Sequence, residues 1–169
     1  MMYGRLRKRC ESVIHRLNLP EFDSVEALCR HLSQQRGRPL HLRPLPQHGT
    51  PAAVCGAWVA TRKADYIFVE QQTTRLHQEH ITLHEIGHML FDHNVSTPID
   101  QGGFAVLLRD LDPERVHRVL ARTSYTNRQE REAEMIASVI RSTGGSAGTP
   151  PTEDTLGGLE TGLGFYRSR

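Results

Sequence analysis

The chain lacks the features that would place it outside the cell or in a membrane. Its three cysteines, Cys10, Cys29 and Cys55, are scattered and form no C-x-x-C pair, which fits reduced thiols better than a disulfide framework. The basic residues 1–9 are not followed by the apolar stretch of a secretory signal. No apolar run has the length of a membrane span. We therefore expect a cytoplasmic protein without a membrane partner.

The chain also has little net charge. Its 21 basic and 19 acidic residues leave a formal charge of +2, which gives no electrostatic case for nucleic-acid binding. The basic stretch 5–9 is best explained as the solvated face of a helix, because no DNA-binding motif accompanies it. A DNA-binding module is therefore a weak hypothesis, and the sequence does not indicate an oligomeric state.

The length of 169 residues fits one domain with a tail. We assign residues 1–142 to the domain and expect residues 143–169, rich in Gly, Ser, Thr and Pro, to be disordered. Apolar periodicity and capping residues predict helices at about 3–17, 24–35, 75–92, 113–121 and 127–142. Alternating apolar residues predict strands around 40–42, 54–61 and 66–70, the last two joined as a hairpin.

The most informative segment is His84-Glu85-Ile86-Gly87-His88. Residues four positions apart lie on one face of a helix, so both imidazoles can reach a single zinc ion. The glutamate after the first histidine can touch a water bound to that ion and act as a general base. This H-E-x-x-H pattern is typical of zinc-dependent peptidases. His80 shares the face but stands about 11 Å from His88 along the axis, too far for one ion.

A catalytic zinc usually has three protein ligands, so one more is needed. The form H-E-x-x-H-x-x-G-x-x-H is excluded, because Phe91 and Asn94 occupy its last two motif positions. A glutamate on the later helix is the other option. We predict that Glu130 is the ligand, with Glu132 as the alternative, and that Glu134, one turn after Glu130, hydrogen-bonds to a ligand histidine.

The remaining polar residues near the motif receive weaker assignments. His93, just past the metal helix, is expected to make a capping hydrogen bond or to hydrogen-bond to a ligand. A donor for the oxyanion is needed beyond the zinc ion, and Tyr125, His93 and His117 are the candidates. Tyr125 has the best position, directly before the glutamate helix. Ala133 and Ala137 are small and would let that helix pack close to the metal helix.

Together these residues predict an α+β fold in which a small antiparallel sheet packs on a zincin-like helical core. That core would consist of the H-E-x-x-H helix and the glutamate helix. An edge strand beside the metal helix could hold an extended peptide by adding it to the sheet.

The segments H-E-I-G-H and E-R-E-A-E-M-I-A resemble the ImmA/IrrE family of intracellular metallopeptidases, whose members commonly show H-E-L-G-H followed by E-x-x-A-x-x-F-A. Residues 3–7 and 78–80 resemble actinobacterial members. The resemblance covers about residues 1–142 and implies zinc-dependent cleavage of a helix-turn-helix transcriptional repressor, with one zinc ion per chain. Carried over by position, His84 and His88 match the histidine ligands, Glu85 the general base and Glu130 the acidic ligand. Ile136 departs from the usual phenylalanine.

Two other functions use the same residues. The protein could be a non-catalytic zinc-binding regulator, although an intact Glu85 beside the ligands argues against a purely structural metal. It could also be the toxin of a toxin–antitoxin pair, which the sequence cannot distinguish from a repressor-cleaving enzyme.

Overall fold

The computed structural model describes residues 2–47, 50, 54–93, 116–121 and 125–143, and for 116–121 it describes the backbone alone. Over these residues the chain forms an α+β fold. The helices are α1 (Met2–Arg16), α2 (Val25–Arg36), α3 (Arg75–Leu90) and α4 (Asn127–Thr143). The strands are β1 (Leu40–Pro44), β2 (Gly56–Thr61), β3 (Asp65–Val69) and β4 (Val116–Ala121).

The helix ends follow the local capping chemistry. The Ser24 side chain accepts a hydrogen bond from the Ala27 N–H at the start of α2, and Gly37 ends that helix in the left-handed conformation at φ 60°. Thr74 caps α3 in the same way, through the His77 N–H. At α4, Thr126 and Gln129 form the reciprocal capping box that the sequence predicts. These four helices confirm the predicted segments to within two residues.

The sheet is mixed, with the strand order β1-β3-β2-β4. β2 and β3 form the predicted antiparallel hairpin, and β1 pairs with β3 in parallel. The prediction of a purely antiparallel sheet is therefore wrong. Its error has a physical cause: β4 occupies the free edge of β2, so β1 lies beside β3, which runs in the same direction.

The predicted helix at 113–121 is also wrong over the described residues. Residues 116–121 form β4, which pairs antiparallel with β2, with Val59 opposite Val119 and Trp58 opposite Leu120. Valine suits a strand better than a helix, and the open edge of β2 supplies the backbone partners. The capping signal at 112–114, which suggested the helix, lies outside the described residues, as does the predicted tail from residue 144 onward.

The core involves the sheet and all four helices: α3 packs against β2 and β3 and also against α4, which in turn packs against α1. Its largest fully buried side chains include Trp58, Ile67, Ile86, Ile136 and Ile140, each contributing about 1.5–3 kcal/mol by leaving water. Every residue of α3 from His80 to Met89 is buried, so the H-E-x-x-H segment lies inside the molecule. Among the described residues, no helix combines the length and apolar character needed to cross a membrane.

Candidate metal centre

Two helices bring His84, His88 and Glu130 to one point. The Nε2 atoms of His84 and His88 are 3.0 Å apart, because the residues stand one helical turn apart on the same face of α3. From α4, Glu130 places Oε2 3.3 Å from His84 Nε2 and Oε1 3.6 Å from His88 Nε2. The three side chains form a group that could hold a metal ion.

The separations fit a tetrahedral ion. Ligand atoms about 2.0–2.1 Å from a tetrahedral centre lie about 3.3 Å from one another. The observed separations of 3.0, 3.3 and 3.6 Å lie on both sides of that value. Two neutral imidazole nitrogens and a carboxylate are a common donor set for such an ion, so these residues fit a zinc centre with three protein ligands.

Small residues let α3 and α4 approach closely enough to form this group. A methyl group built on Gly87 would stand 2.8 Å from the Ala133 carbonyl oxygen and 2.7 Å from Ile136 Cγ2. Ala133 and Ala137 are both fully buried. The cost of about 1 kcal/mol for a glycine inside a helix is therefore offset by close packing of the helix that carries Glu130.

Glu130 and Glu132 have separate positions. Glu130 faces the two ligand histidines, whereas Glu132 Oε2 lies 2.9 Å from His93 Nε2. Residues two positions apart on a helix point to nearly opposite sides, since each residue advances the direction by about 100°. Of the two carboxylates that the sequence left open, Glu130 is the one beside both histidines.

Glu134 contacts the outer nitrogen of His84, as the sequence predicts. Its Oε2 lies 3.4 Å from His84 Nδ1 and 3.3 Å from His80 Nε2. Although burial opposes its charge, the close imidazoles of His80 and His84 hold the pKa of Glu134 well below its usual range. Burial also opposes a charge on His84, but the carboxylates of Glu130 and Glu134 outweigh it and raise the pKa of His84 to about 9.

His93 contacts the outer nitrogen of His88. The two Nδ1 atoms are 2.9 Å apart. Asp92 adopts a left-handed conformation with φ 48°, which turns the chain back, and the His93 N–H donates to the His88 carbonyl at 3.0 Å. The chain therefore folds back after α3 and places His93 beside His88, the residue whose imidazole His93 was expected to contact.

Glu85 lies on the side of α3 that faces strand β2. Only 2% of its surface is exposed, and a methyl group built on Gly56 would stand 2.9 Å from its Oε1 atom. Gly56 thus leaves room for this carboxylate. A small cleft opens here, lined by Cys55, Gly56, His77, His80, Ile81, His84 and Glu85.

Tyr125 lies against His88 of the candidate centre. Its ring stacks on the His88 ring, with centroids 3.5 Å apart and planes within 10°. The hydroxyl is buried and makes no hydrogen bond with any residue that the structure describes. Burial, together with the charges of Glu85 and Glu130, raises the pKa of Tyr125, so its phenol keeps its proton. The side chain of His117, the third candidate donor, lies outside the described side chains.

Sequence reasoning missed Arg9, which reaches the centre through Glu132. Glu132 forms ion pairs with Arg9 of α1 and Arg128 of α4 while it contacts His93. The spacing of Arg128 and Glu132 was a signal for one of these pairs. Arg9 is 123 positions away from Glu132 in the sequence, so no local pattern pointed to its contact.

Comparison of the chain with protein-family models, curated proteins and solved structures gave no match.

Proposed function

We propose that this protein is a zinc-dependent endopeptidase of the ImmA/IrrE type, with a zincin-like core and one zinc ion per chain. The observation that carries the proposal is the convergence of His84, His88 and Glu130 directly beside Glu85. A purely structural zinc normally has four protein ligands and needs no neighbouring carboxylate. Three ligands leave one position for water, and Glu85 occupies the place of a base next to the first histidine.

A zinc ion bound by these ligands would polarise a water molecule and the peptide carbonyl that the water attacks. Glu85 would take the proton of that water and pass it to the departing amine. Its burial against β2 keeps the carboxylate in a water-poor site, where its interaction with a proton is strong. Tyr125, held protonated beside His88, would donate its O–H to the oxyanion of the carbonyl.

The substrate we propose is a helix-turn-helix transcriptional repressor, and the proposed compartment is the cytoplasm. This part of the proposal rests on the resemblance of the two motif blocks. The cleft beside Glu85 and the neighbouring sheet supply a place for an extended chain, because a peptide can bind by adding a strand to a sheet.

The test uses the purified full chain loaded with zinc and incubated with the repressor encoded by the neighbouring gene. We expect fragments of the repressor, and we expect none from a Glu85→Gln variant that retains one zinc ion per chain. Glu79→Gln is the matched control, since Glu79 lies on the same helix in an exposed pair with Arg75. Unchanged cleavage by Glu85→Gln would overturn the general-base role. Stoichiometric zinc with specific repressor binding and no cleavage would identify a non-catalytic regulator instead.

A further inference from the structure

A continuous line of contacts runs from the candidate metal centre to the first helix. His88 Nδ1 lies 2.9 Å from His93 Nδ1, and His93 Nε2 lies 2.9 Å from Glu132 Oε2. The other carboxylate oxygen of Glu132 accepts hydrogen bonds from Arg9 of α1 and from Arg128, the latter at 3.2 Å. All three inner members, His88, His93 and Glu132, are buried.

The carboxylate of Glu132 determines the direction of each hydrogen bond between it and His88. An ionised carboxylate only accepts hydrogen bonds, so His93 must donate from Nε2 to Glu132. A neutral imidazole then has an unprotonated Nδ1, which accepts a hydrogen bond from His88 Nδ1. His88 therefore carries its proton on Nδ1, and the lone pair of its Nε2 points to the position between His84 and Glu130.

The two arginines keep the carboxylate in the required state. Arg9 and Arg128 each form an ion pair with Glu132, and two guanidinium groups beside one carboxylate favour its ionised form. The ring of His93 is only 5% exposed, and burial disfavours a charged imidazole. Arg9 also reaches the ring of Phe91, 4.8 Å from its centroid, and Phe91 in turn stacks on His93.

We propose that Arg9, Glu132 and His93 are positioning residues that fix the orientation and tautomer of His88, so that the docking of helix α1 controls the metal affinity of the centre. The proposal rests on the metal site of the proposed function. Partners that fix a ligand histidine typically change metal affinity by about tenfold to a hundredfold when they are replaced.

The key variant is Glu132→Gln, which keeps the shape of the side chain. A glutamine amide can donate as well as accept, so it permits the reversed line in which His93 donates to His88. The proton of His88 would then sit on Nε2 and face the metal position. We expect zinc affinity to fall about tenfold to a hundredfold, and we expect Glu132→Asp to restore part of it.

The contribution of Arg9 and Arg128, the two arginines that contact Glu132, is tested with a second set of variants. We expect Arg9→Met combined with Arg128→Met to weaken zinc binding about fivefold, less than Glu132→Gln, because both guanidinium groups are at least half exposed. Arg7→Met is the matched control on α1, since Arg7 forms an exposed ion pair with Glu11 of the same helix. It should leave zinc affinity unchanged.

Competition with a chromophoric chelator measures zinc affinity without using peptidase activity. The ¹⁵N chemical shifts of the histidine rings in the metal-free protein report which nitrogen carries each proton. We expect His88 protonated at Nδ1 in the wild type and a shift toward Nε2 in Glu132→Gln. A wild-type His88 protonated at Nε2, or unchanged zinc affinity in a folded Glu132→Gln, would overturn the proposal. Absence of zinc binding by the wild type would overturn the proposed function instead. The ring shifts would still test whether the line of contacts from Glu132 through His93 fixes the tautomer of His88.

Discussion

Gly87 of α3 lies directly against the backbone of Ala133 in α4: a methyl group built on Gly87 would stand 2.9 Å from the Ala133 Cα atom. The obstacle is backbone, so it cannot move aside as a flexible side chain would. We expect Gly87→Ala to lower the free energy of unfolding by up to about 2 kcal/mol, because overpacking costs about 1–3 kcal/mol and the gain in helix propensity returns only about 1 kcal/mol.

The same substitution should weaken metal binding, because it pushes away the helix that carries Glu130. Chemical denaturation and chelator competition measure the two effects. Gly4→Ala is the matched control: Gly4 lies inside α1, and a methyl group there meets nothing within 4 Å. It should raise the free energy of unfolding by about 0.5–1 kcal/mol. A stabilised Gly87→Ala protein with normal zinc affinity would contradict the close packing.

Asp65 at the start of β3 is expected to be important for stability. Its carboxylate is almost fully buried and accepts hydrogen bonds from Arg36 at 3.1 Å, Arg38 at 2.9 Å and the Trp58 indole at 3.2 Å. Asp65→Ala leaves the buried indole N–H without its acceptor and removes the charge that holds both arginines. We expect a loss of about 2–4 kcal/mol in urea unfolding.

The control for this prediction is Glu11→Ala, which breaks the exposed pair with Arg7 on α1. Exposed pairs contribute little, so this change should stay within about 0.5 kcal/mol of the wild type. Equal effects of the two substitutions would show that the buried cluster around Asp65 has no special role.

The elements that the sequence predicted are those whose signals are local. The histidines of α3 and the capping box at Thr126 act over four residues or fewer, and both appear in the structure where expected. Glu130 was preferred to Glu132 because Glu134, one turn later on the same helix, could hydrogen-bond to a histidine of the motif. In each case the pattern and the contact involve the same few residues.

The elements that were missed depend on long-range contacts. β4 forms because β2 offers an open edge more than fifty positions earlier, and this outweighs the capping signal near residue 113. β1 is parallel to β3 because β4 occupies the other edge of β2, so β1 pairs with the free edge of β3, which runs in the same direction. The ion pair of Arg9 with Glu132 joins the two ends of the domain. No periodicity within one segment carries information about such partners, so these contacts required the structure.

The three cysteines should differ in reactivity. Burial and the nearby charge of Glu132 raise the pKa of Cys10 to about 11, and burial raises the pKa of Cys29 to about 12. The thiolate is the nucleophile, so both should resist alkylation at pH 7.5 in the folded protein. Cys55 is half-buried and lines the cleft beside Glu85, so it should react first.

Mass spectrometry after brief treatment with iodoacetamide checks this order. We expect one modified cysteine in the native protein, located at position 55, and three after denaturation. A Cys55→Ser variant should remain unmodified under native conditions. Rapid labelling of Cys29 in the folded chain would show that α2 opens readily, contrary to its buried packing.

Zinc uptake should release a proton from His84. The raised pKa of about 9 means that this ring is protonated in the metal-free protein at pH 7.5, where its Nε2–H is directed toward Glu130 and His88. A metal ligand needs a free lone pair, so binding displaces that proton. Below the unfolded value near 6.5 the protonated ring contributes its full stability to the metal-free fold, and this contribution is lost as the pH rises through about 9.

Calorimetry of zinc binding in buffers of different ionisation enthalpy measures the proton count. We expect about one proton from His84 at pH 7.5 and close to none at pH 10, because above pH 9 the ring is already neutral. Glu134→Gln provides the comparison: it removes one of the carboxylates that raise the pKa of His84, so proton release in this variant should decline at a lower pH than in the wild type. A proton count that is the same at both pH values would mean that zinc does not displace a proton from this ring, and Glu130 and Glu134 would then not hold His84 in its charged form.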